Sequence, residues 1–360
     1  PPRRHGRLLH RAHAPQTGMT NALDLSPAEW GEALRAMGQP AFRAGQVFSW
    51  LHKGAKFSEM GNLPKTLREA LAAEYDDSGV TIFERFPSKL DGTVKYLYRL
   101  ADGNLIEGVR MRYHYGDTLC VSTQVGCRMG CRFCASTLEG LARNLTAGEI
   151  LGQIVAANAE GKITNVVLMG SGEPLDNYDN VVKFLRLLRE KGGVEMSLRS
   201  VSLSTCGLVP RMHRFAEEGL PVTLSVSLHA PNDDIRRTMM PVAETYRIED
   251  VLRECRYYIE KTGRRVIFEY ALAEGVNCAP ENAKELASRL RGMQCHVNLI
   301  PLNPVKEREL TGATRRQAEQ FQHELEALHM SATIRREMGR DISGACGQLR
   351  RGYIREHEAT

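Results

Sequence analysis

The sequence predicts an α/β protein in which a partial (β/α)6 barrel follows a small helical N-terminal domain and a short antiparallel β extension. From Leu119 onward, short apolar strands alternate with helices about six times. Such alternation is typical of parallel strands that are buried on both faces. Before Leu119 come three helical segments and then three strands, joined by Asp-Gly turns that indicate an antiparallel meander. A doubly wound open sheet is the alternative to the barrel.

We divide the 360 residues into five parts. A disordered basic leader (1–18) is followed by a helical accessory domain (19–78) and an antiparallel β extension (79–112). The barrel (113–345) and a C-terminal segment (346–360) complete the chain. A basic RNA-binding arm is the alternative for the leader. We expect the natural start at Met19.

The elements of each part follow from periodicity and from turn residues. Helical spacing within 25–75 predicts three short helices, of which the first two end at Gly38 and Gly54. The strands of the β extension are predicted at VTIFERF, TVKYLYRL and NLIEGVRMRY. The barrel strands are predicted at LCVSTQ, TNVVLMG, SVSLST, TLSVSLH, VIFEYAL and HVNLIPL. The helices between and after them are predicted at LTAGEILGQIVAANAEG, 181–189, near 211, and at 248–261, 281–291 and 317–329. Thr146 and Glu149 have the spacing of a capping box at the start of the first barrel helix.

Composition excludes several classes of protein. Hydrophobic residues make up 42% and charged residues 25% of the chain, which excludes collagen, wholesale disorder and a disulfide-rich miniprotein. The longest apolar runs are far shorter than the roughly 20 residues that cross a bilayer, so we expect a cytoplasmic protein with no membrane partner. The net charge is +5, but four of these charges are arginines of the leader, which has no acid. Overall charge is therefore weak evidence for nucleic-acid binding.

The nine cysteines include a closely spaced group of three. Cys127, Cys131 and Cys134 form a C-x3-C-x2-C pattern directly after the first barrel strand. A structural zinc site normally has four protein ligands, whereas three cysteines on a [4Fe-4S] cluster leave one iron open. Because no fourth ligand is near in sequence, the pattern predicts an iron-sulfur site at the end of this strand.

Polar and glycine residues recur where other barrel strands are predicted to end. The second strand ends in LMGSGEP, where glycines let the backbone approach a ligand and Glu173 can accept hydrogen bonds from an ammonium group. Later strands end in similar candidates: Ser204, Ser227, Leu228, His229 and Asn303. Because chemistry in such barrels collects at the C-terminal strand ends, we expect these residues to meet at one site.

Several longer motifs together resemble the RlmN/Cfr family of radical S-adenosylmethionine (radical SAM) RNA adenine methyltransferases. They are STQVGCRMGCRFCASTLEGLARNLTAGEI, MGSGEPLDNYDNV, SLHAPND, RRTMMPV, IPLNPV and MGRDISGACGQLR. The resemblance runs from about 25 to 349. Pro174 resembles the C2-methylating RlmN type, since Cfr-like C8 methylases are expected to carry alanine there. Ser171 departs from the more usual methionine of the family pattern.

The resemblance implies a radical SAM barrel and a role for individual residues. Cys127, Cys131 and Cys134 are implied to hold one [4Fe-4S] cluster with an open iron. The implied contacts of S-adenosylmethionine (SAM), two molecules of which are used per turnover, are Gly172, Glu173, Ser204, Ser227, Leu228, His229 and Asn303. The implied catalytic residues are Cys346, which carries the methyl group, Cys120, which resolves the adduct through a transient disulfide, and Glu107, which accepts a proton.

The resemblance also implies partners. The expected substrates are adenine C2 in the peptidyltransferase centre of 23S rRNA, protein-free or assembling, and an adenine next to the anticodon in tRNA. We expect an electron donor such as flavodoxin or ferredoxin, a monomer, and RNA docking by the helical domain. Two alternatives remain at this point, namely a Cfr-like C8 adenine methylase and a non-catalytic zinc-containing RNA-binding protein.

Overall fold

The computed structural model describes residues 18–303 and 305–342. Cys346 and the rest of the predicted C-terminal segment lie outside the described residues, as do residues 1–17 of the predicted leader.

Three short helices form the N-terminal part of the described chain. They are α1 (Pro27–Ala36), α2 (Arg43–His52) and α3 (Lys65–Glu74). Two short strands, β1 (Thr20–Asn21) and β2 (Tyr75–Asp76), pair in parallel and bring the two ends of this region together. The three helices agree with the sequence prediction.

One ten-stranded sheet forms the rest of the framework. Its strands are β3 (Val80–Pro87), β4 (Val94–Leu100), β5 (Leu105–Tyr113), β6 (Gly116–Cys120), β9 (Ile163–Leu168), β10 (Val201–Thr205), β11 (Thr223–Ser227), β12 (Val266–Leu272), β13 (Cys295–Pro301) and β14 (Ala332–Ile334). The spatial order is β14-β13-β12-β11-β10-β9-β6-β5-β4-β3. Strands β3 to β6 pair antiparallel, and β6 with β9 to β14 pair in parallel. The predicted meander is thus continuous with the barrel strands.

Helices connect the parallel strands as the sequence predicts. The six that fill the crossovers are α4 (Ala147–Asn158), α5 (Tyr178–Arg189), α6 (Val209–Glu217), α8 (Ile248–Thr262), α9 (Pro280–Leu290) and α10 (Arg315–Ala327). The predicted capping box opens α4, because Glu149 N donates to Thr146 Oγ1 at 3.1 Å and Thr146 N donates to the Glu149 carboxylate at 2.9 Å. Among the parallel strands and the helices that connect them, two features were not predicted: the seventh parallel strand, β14, and a short helix, α7 (Asp233–Met239), ahead of α8.

The N-terminal helices and the barrel share one hydrophobic core. Trp30 and Phe48 belong to the same buried apolar cluster as Val166 on β9. Polar contacts add to this packing, since Gly148 N donates to Asp24 Oδ1 at 2.6 Å and Lys183 Nζ lies 2.8 Å from Glu29 Oε1. The helical region is therefore anchored to the first two barrel helices.

None of the helices in the described ranges combines the length and the apolar character needed to cross a membrane.

His52 is buried in this core at the end of α2, and neither of its ring nitrogens has a hydrogen-bond partner among the described residues. Burial lowers its pKa to about 4, so it stays neutral in the folded protein while the unfolded chain binds a proton near pH 6.5. The free energy of unfolding should therefore fall as the pH is lowered from 7 towards 4, by about 2 kcal/mol at pH 5.

We predict that His52→Leu removes this pH-dependent loss, because leucine takes up no proton and leaves no unsatisfied nitrogen in the core. Denaturant unfolding at pH 7.5 and pH 5 measures the effect. The control is His323→Leu at an exposed position on α10, which should retain the wild-type pH dependence. An unchanged pH dependence in His52→Leu would contradict the prediction.

Candidate active site

The three clustered cysteines lie on one loop at the C-terminal end of β6. The loop is carried by a small antiparallel hairpin of β7 (Gln124–Gly126) and β8 (Leu141–Asn144). Gly126 has φ 78°, and a Cβ there would lie 2.0 Å from the carbonyl oxygen of Gly140. Cys127 N donates to that same oxygen at 3.0 Å. Glycine at 126 therefore allows the close approach that closes the loop.

Neighbouring segments hold the cysteine loop in place. Arg132 N donates to the Met239 carbonyl at 2.9 Å, and Arg308 Nη2 donates to the Cys134 carbonyl at 3.0 Å. Beneath the loop lies a separate small apolar cluster of Cys131, Cys206, Met239, Met240, Ala271 and Ala273. These contacts fix the loop against the segments that follow β11 and β13, while Arg128 and Arg132 stay exposed.

Two of the three clustered thiols, those of Cys127 and Cys131, are buried and protonated. Burial raises the pKa of Cys127 to about 12 and that of Cys131 further still, so both are neutral at pH 7. Iron bound to the sulfurs would deprotonate them. Within the described ranges, no three His, Cys, Asp or Glu side chains are close enough together to hold a single metal ion. The thiols of a [4Fe-4S] site bind different iron atoms, so this donor set of three soft ligands on one loop fits a cluster.

The turn after β9 approaches β7 of the hairpin closely, as its glycines allow. Gly172 has φ 106°, and a Cβ there would lie 2.6 Å from Cβ of Gln124. Gln124 Oε1 accepts a hydrogen bond from Glu173 N at 2.8 Å and so fixes this turn. Ser171, where the family pattern has methionine, is buried, and its N–H donates to Ser122 Oγ at 2.9 Å.

Glu173 carries a buried carboxylate in the turn after β9. Its two oxygens accept hydrogen bonds from Leu175 N at 3.0 Å and from Cys206 N at 2.7 Å. Burial raises the pKa of Glu173, while these backbone donors lower it. The negative charge of Glu173 also acts on the thiols of Cys127 and Cys131, which places the three side chains in one region.

Strand β11 ends beside the cysteine loop in a turn formed by Ser227, Leu228 and His229. The ring of His229 meets Phe133 edge to face, with 4.9 Å between ring centroids. His229 Nδ1 accepts a hydrogen bond from Ala271 N at 2.9 Å, so the ring carries its proton on Nε2. Burial lowers the pKa of His229 to about 3, so this ring is a neutral donor at pH 7.

Cys120 and Glu107 lie on one face of the sheet. Cys120 is the last residue of β6 and is paired with Val109 on β5. Side chains two residues apart on a strand share a face, so Glu107 is a diagonal neighbour of Cys120. Both are buried, and Cys120 packs against Val109 and Met111. Ser122 Oγ donates to the Glu107 carbonyl at 2.7 Å and links this strand to the turn that contains Ser171.

The remaining residues that are predicted to contact SAM lie at the same C-terminal edge of the parallel strands. Ser204 on β10 is aligned with Ser225 on β11, and the hydroxyls of Ser204 and Ser227 form no side-chain hydrogen bond within the described ranges. Asn303 is exposed, two residues beyond the end of β13. The predicted site residues that the structure describes therefore lie on or near strands β5, β6, β9, β10, β11 and β13, while Cys346 lies outside the described residues.

Two buried charged residues near this edge were not predicted. Glu269 on β12 is aligned with Ser227 and accepts a hydrogen bond from Asn298 Nδ2 at 2.7 Å. An acidic residue within the apolar run VIFEYAL could have identified Glu269 as a candidate site residue from the sequence. Arg236 on α7 is fully buried. Its sequence context, RRTMMPV, does not distinguish it from the half-exposed Arg237 next to it.

Comparisons with known proteins agree with this architecture. Residues 121–286 match the radical SAM superfamily, and residues 20–75 match the ribosomal RNA large subunit methyltransferase N-terminal domain. A probable dual-specificity RNA methyltransferase RlmN of Lachnoclostridium phytofermentans is 52% identical over 91% of this chain and 94% of its own length. A protein of the same description from Clostridium perfringens strain 13 is 51% identical over 94% of this chain and 98% of its own length.

A solved structure supports the same assignment. The crystal structure of a radical SAM methyltransferase from Sphaerobacter thermophilus superposes with a TM-score of 0.88 at 44% sequence identity, covering 91% of this chain and 98% of that one. The predicted radical SAM fold is confirmed, and the alternative of a non-catalytic zinc-containing RNA-binding protein is set aside. The chain belongs to the RlmN family of radical SAM RNA methyltransferases.

Proposed function

We propose that this enzyme methylates C2 of adenine in the peptidyltransferase centre of 23S rRNA and C2 of an adenine next to the anticodon in tRNA. Membership of the RlmN family supports an RNA substrate. Pro174 after Glu173 favours the C2-methylating type over the Cfr-like C8 type. The observation that carries the proposal is that a buried thiol, Cys120, and a buried carboxylate, Glu107, lie as diagonal neighbours on one face of the sheet, at the strand end that leads to the cysteine loop.

The cofactors are proposed to bind at the strand ends described above. Cys127, Cys131 and Cys134 would hold a [4Fe-4S] cluster whose fourth iron is open. SAM would contact a set of strand-end residues: Gly172, Glu173, Ser204, Ser227, Leu228, His229 and Asn303. When bound, the cluster and two SAM molecules would supply the electron, the methyl group and the radical that removes a hydrogen atom from the methyl group. The buried carboxylate of Glu173 suits an ammonium group.

The chemistry of adenine explains why two cysteines are needed. C2 of adenine is an electron-poor carbon, so it does not attack a methyl cation equivalent. The thiolate of Cys346 is a good nucleophile and would take the methyl group by displacement. After carbon–carbon bond formation, the methylene joins Cys346 to the base, and a second thiol is required to release the product.

Cys120 and Glu107 would complete the reaction. After the methylene radical has added to C2, the adduct must lose one electron, which would return to the bound cluster, together with the proton on C2. The Cys120 thiolate attacks the sulfur of Cys346, so that a sulfur–sulfur bond forms while the sulfur–carbon bond breaks. The methylene carbon keeps that electron pair and takes a proton from solvent, which gives the methyl group. Glu107 takes the proton that leaves C2. The disulfide must then be reduced by an external thiol system before the next turnover.

The helical region, 19–78, is proposed to dock structured RNA. Lys53 is exposed at the end of α2. Two other cations of this region hold its own chain, since Arg43 Nη1 donates to the Asn62 carbonyl at 2.8 Å and Lys56 Nζ donates to the Asp77 carbonyl at 2.6 Å. Phe42, 62% exposed beside Arg43, offers a ring on which a base can stack. We also propose that the enzyme acts as a monomer and that flavodoxin or ferredoxin supplies its electron.

The cluster assignment is tested by Cys131→Ala. Removing one of three thiolates should abolish cluster assembly, because Cys127 and Cys134 alone cannot retain it. Iron and sulfide analysis after anaerobic reconstitution measures the loss, and the brown colour should disappear with it. Cys278→Ala, at a half-buried cysteine with no proposed role, should load normally. Full iron and sulfide content in Cys131→Ala would refute the assignment.

The resolving role is tested by Cys120→Ala. Packing alone predicts a loss of about 1 kcal/mol in stability and nearly normal turnover. The proposal predicts instead that the bridge from Cys346 to adenine forms and cannot be broken, so the purified variant should carry RNA as a nuclease-sensitive increase in mass.

Two controls accompany the Cys120→Ala experiment. Cys255→Ala, at another buried thiol, should release its product. The double variant with Cys346→Ala should lose the covalent RNA, because the bridge cannot form. Normal product release by Cys120→Ala would rule out the two-cysteine mechanism.

RNA docking is tested by Lys53→Glu. Replacing a cation that contacts phosphate should weaken RNA binding about threefold to tenfold at low salt and reduce the slope of log K against log salt concentration by about 1. Filter binding at several salt concentrations measures both. Lys162→Glu, an exposed lysine at the opposite end of the barrel strands, is the control and should bind as the wild type does. Equal losses in the two variants would contradict a specific docking role.

A further inference from the structure

Arg236 is a fully buried arginine that has no carboxylate partner among the residues the structure describes. It is 0% exposed, and no Asp or Glu oxygen in the described ranges lies within 4.0 Å of its nitrogens. Asp233 is the acidic residue whose charge acts on it, but an oxygen of Asp233 instead accepts a hydrogen bond from Ile248 N at 2.8 Å. Arginine stays protonated in proteins, and buried charges are normally paired. No carboxylate of the described residues therefore forms an ion pair with this buried positive charge.

The guanidinium is oriented by backbone carbonyls at the ends of two barrel strands. Nη2 donates to the carbonyl of Cys206, just after β10, at 2.7 Å. Nε donates to the carbonyl of Leu228, just after β11, at 3.2 Å, and Nη1 donates to that of Tyr246 at 3.2 Å. These hydrogen bonds engage all three nitrogens of the guanidinium group but neutralise no charge. Arg236 is thus held rigidly between strand ends that carry predicted SAM contacts.

The position of α7 brings this charge close to the cysteine loop. The carbonyl of Met239, the last residue of α7, accepts the hydrogen bond from Arg132 N at 2.9 Å. A Cβ on Gly130 would lie 3.3 Å from Pro241, which follows α7. The charge of Arg236 acts on the thiol of Cys131 and on the neighbouring Cys206. The positive charge therefore acts on Cys131, one of the three thiols that the proposed function assigns to the cluster.

We propose that Arg236 is the counter-charge of the iron–sulfur site, a positioning residue that raises the reduction potential of the bound cluster. This inference rests on the proposed cluster ligation by Cys127, Cys131 and Cys134. One-electron reduction adds a negative charge to the cluster, and the electron comes from the external donor. A fixed positive charge in a buried, weakly screened environment stabilises the reduced form more than the oxidised form.

The test is the reduction potential of the anaerobically reconstituted full-length protein, followed by electron paramagnetic resonance during a redox titration. Arg236→Gln removes the charge and should shift the equilibrium towards the oxidised cluster about tenfold at a given potential, which corresponds to about 59 mV for a one-electron couple. Arg236→Lys retains the charge but not the planar fork and should keep the wild-type potential.

Arg237→Gln is the matched control. Arg237 is the next residue on α7, is half-exposed, and has Nη1 2.9 Å from Asp234 Oδ1. Because its charge is paired and screened, removing it should leave the potential unchanged.

The outcomes separate this inference from the proposed function. A wild-type protein without a cluster would refute the proposed function itself. A loaded Arg236→Gln protein with the wild-type potential would overturn only the role of Arg236, as would equal shifts in Arg236→Gln and Arg236→Lys. If Arg236→Gln fails to fold or to bind the cluster, Arg236→Lys is the deciding variant. An Arg236→Lys protein that binds the cluster and shows a tenfold shift contradicts a charge effect. An Arg236→Lys protein that binds the cluster at the wild-type potential supports a charge effect.

Discussion

The parallel register of the barrel strands is the constraint on which the candidate site depends. Because β6 and β9 to β14 run in the same direction, their carboxyl ends meet at one edge. The alignment of Cys120 with Val167, and of Ser204 with Ser225, keeps side chains from distant parts of the sequence on a common face. A slip of one residue in any strand would turn its polar residue out of the site.

Burial then determines the chemistry of the groups at that edge. Glu173 and Glu269 are held in the interior by hydrogen-bond donors, and Arg236 is held by carbonyl oxygens. His229 is kept neutral because its ring is buried and Nδ1 accepts a backbone hydrogen bond. Charged groups interact more strongly in such an interior than at the surface. The site therefore has fixed charges arranged before any cofactor binds, which reduces the reorganisation that accompanies electron transfer and radical chemistry.

The parts of the fold that the sequence predicted are those with strong local signals. The alternation of apolar strands and helices predicted the six strand-helix units of the barrel. The Asp-Gly turns predicted the antiparallel meander. The strand β14 has only three residues, too few for a recognisable pattern, and α7 has seven, which is fewer than two helical turns. The run LCVSTQ was interpreted as one strand, but the chain leaves the sheet after Cys120 and forms a separate hairpin from Gln124. That break depends on tertiary hydrogen bonds, such as that from Thr123 N to the Ser171 carbonyl, which a local pattern cannot contain.

The candidate site was predictable where residue type alone indicates chemistry, as with three cysteines on one loop. It was not predictable where burial decides, because Arg236 and Arg237 are the same residue type and differ only in which side of α7 faces the core. The measurement that tests the central claim most directly is chromatography with mass analysis of nucleosides from digested 23S rRNA and tRNA of cells with and without the gene. The account predicts 2-methyladenosine that disappears when the gene is removed. The presence of 8-methyladenosine instead, or RNA unchanged by loss of the gene, would contradict it.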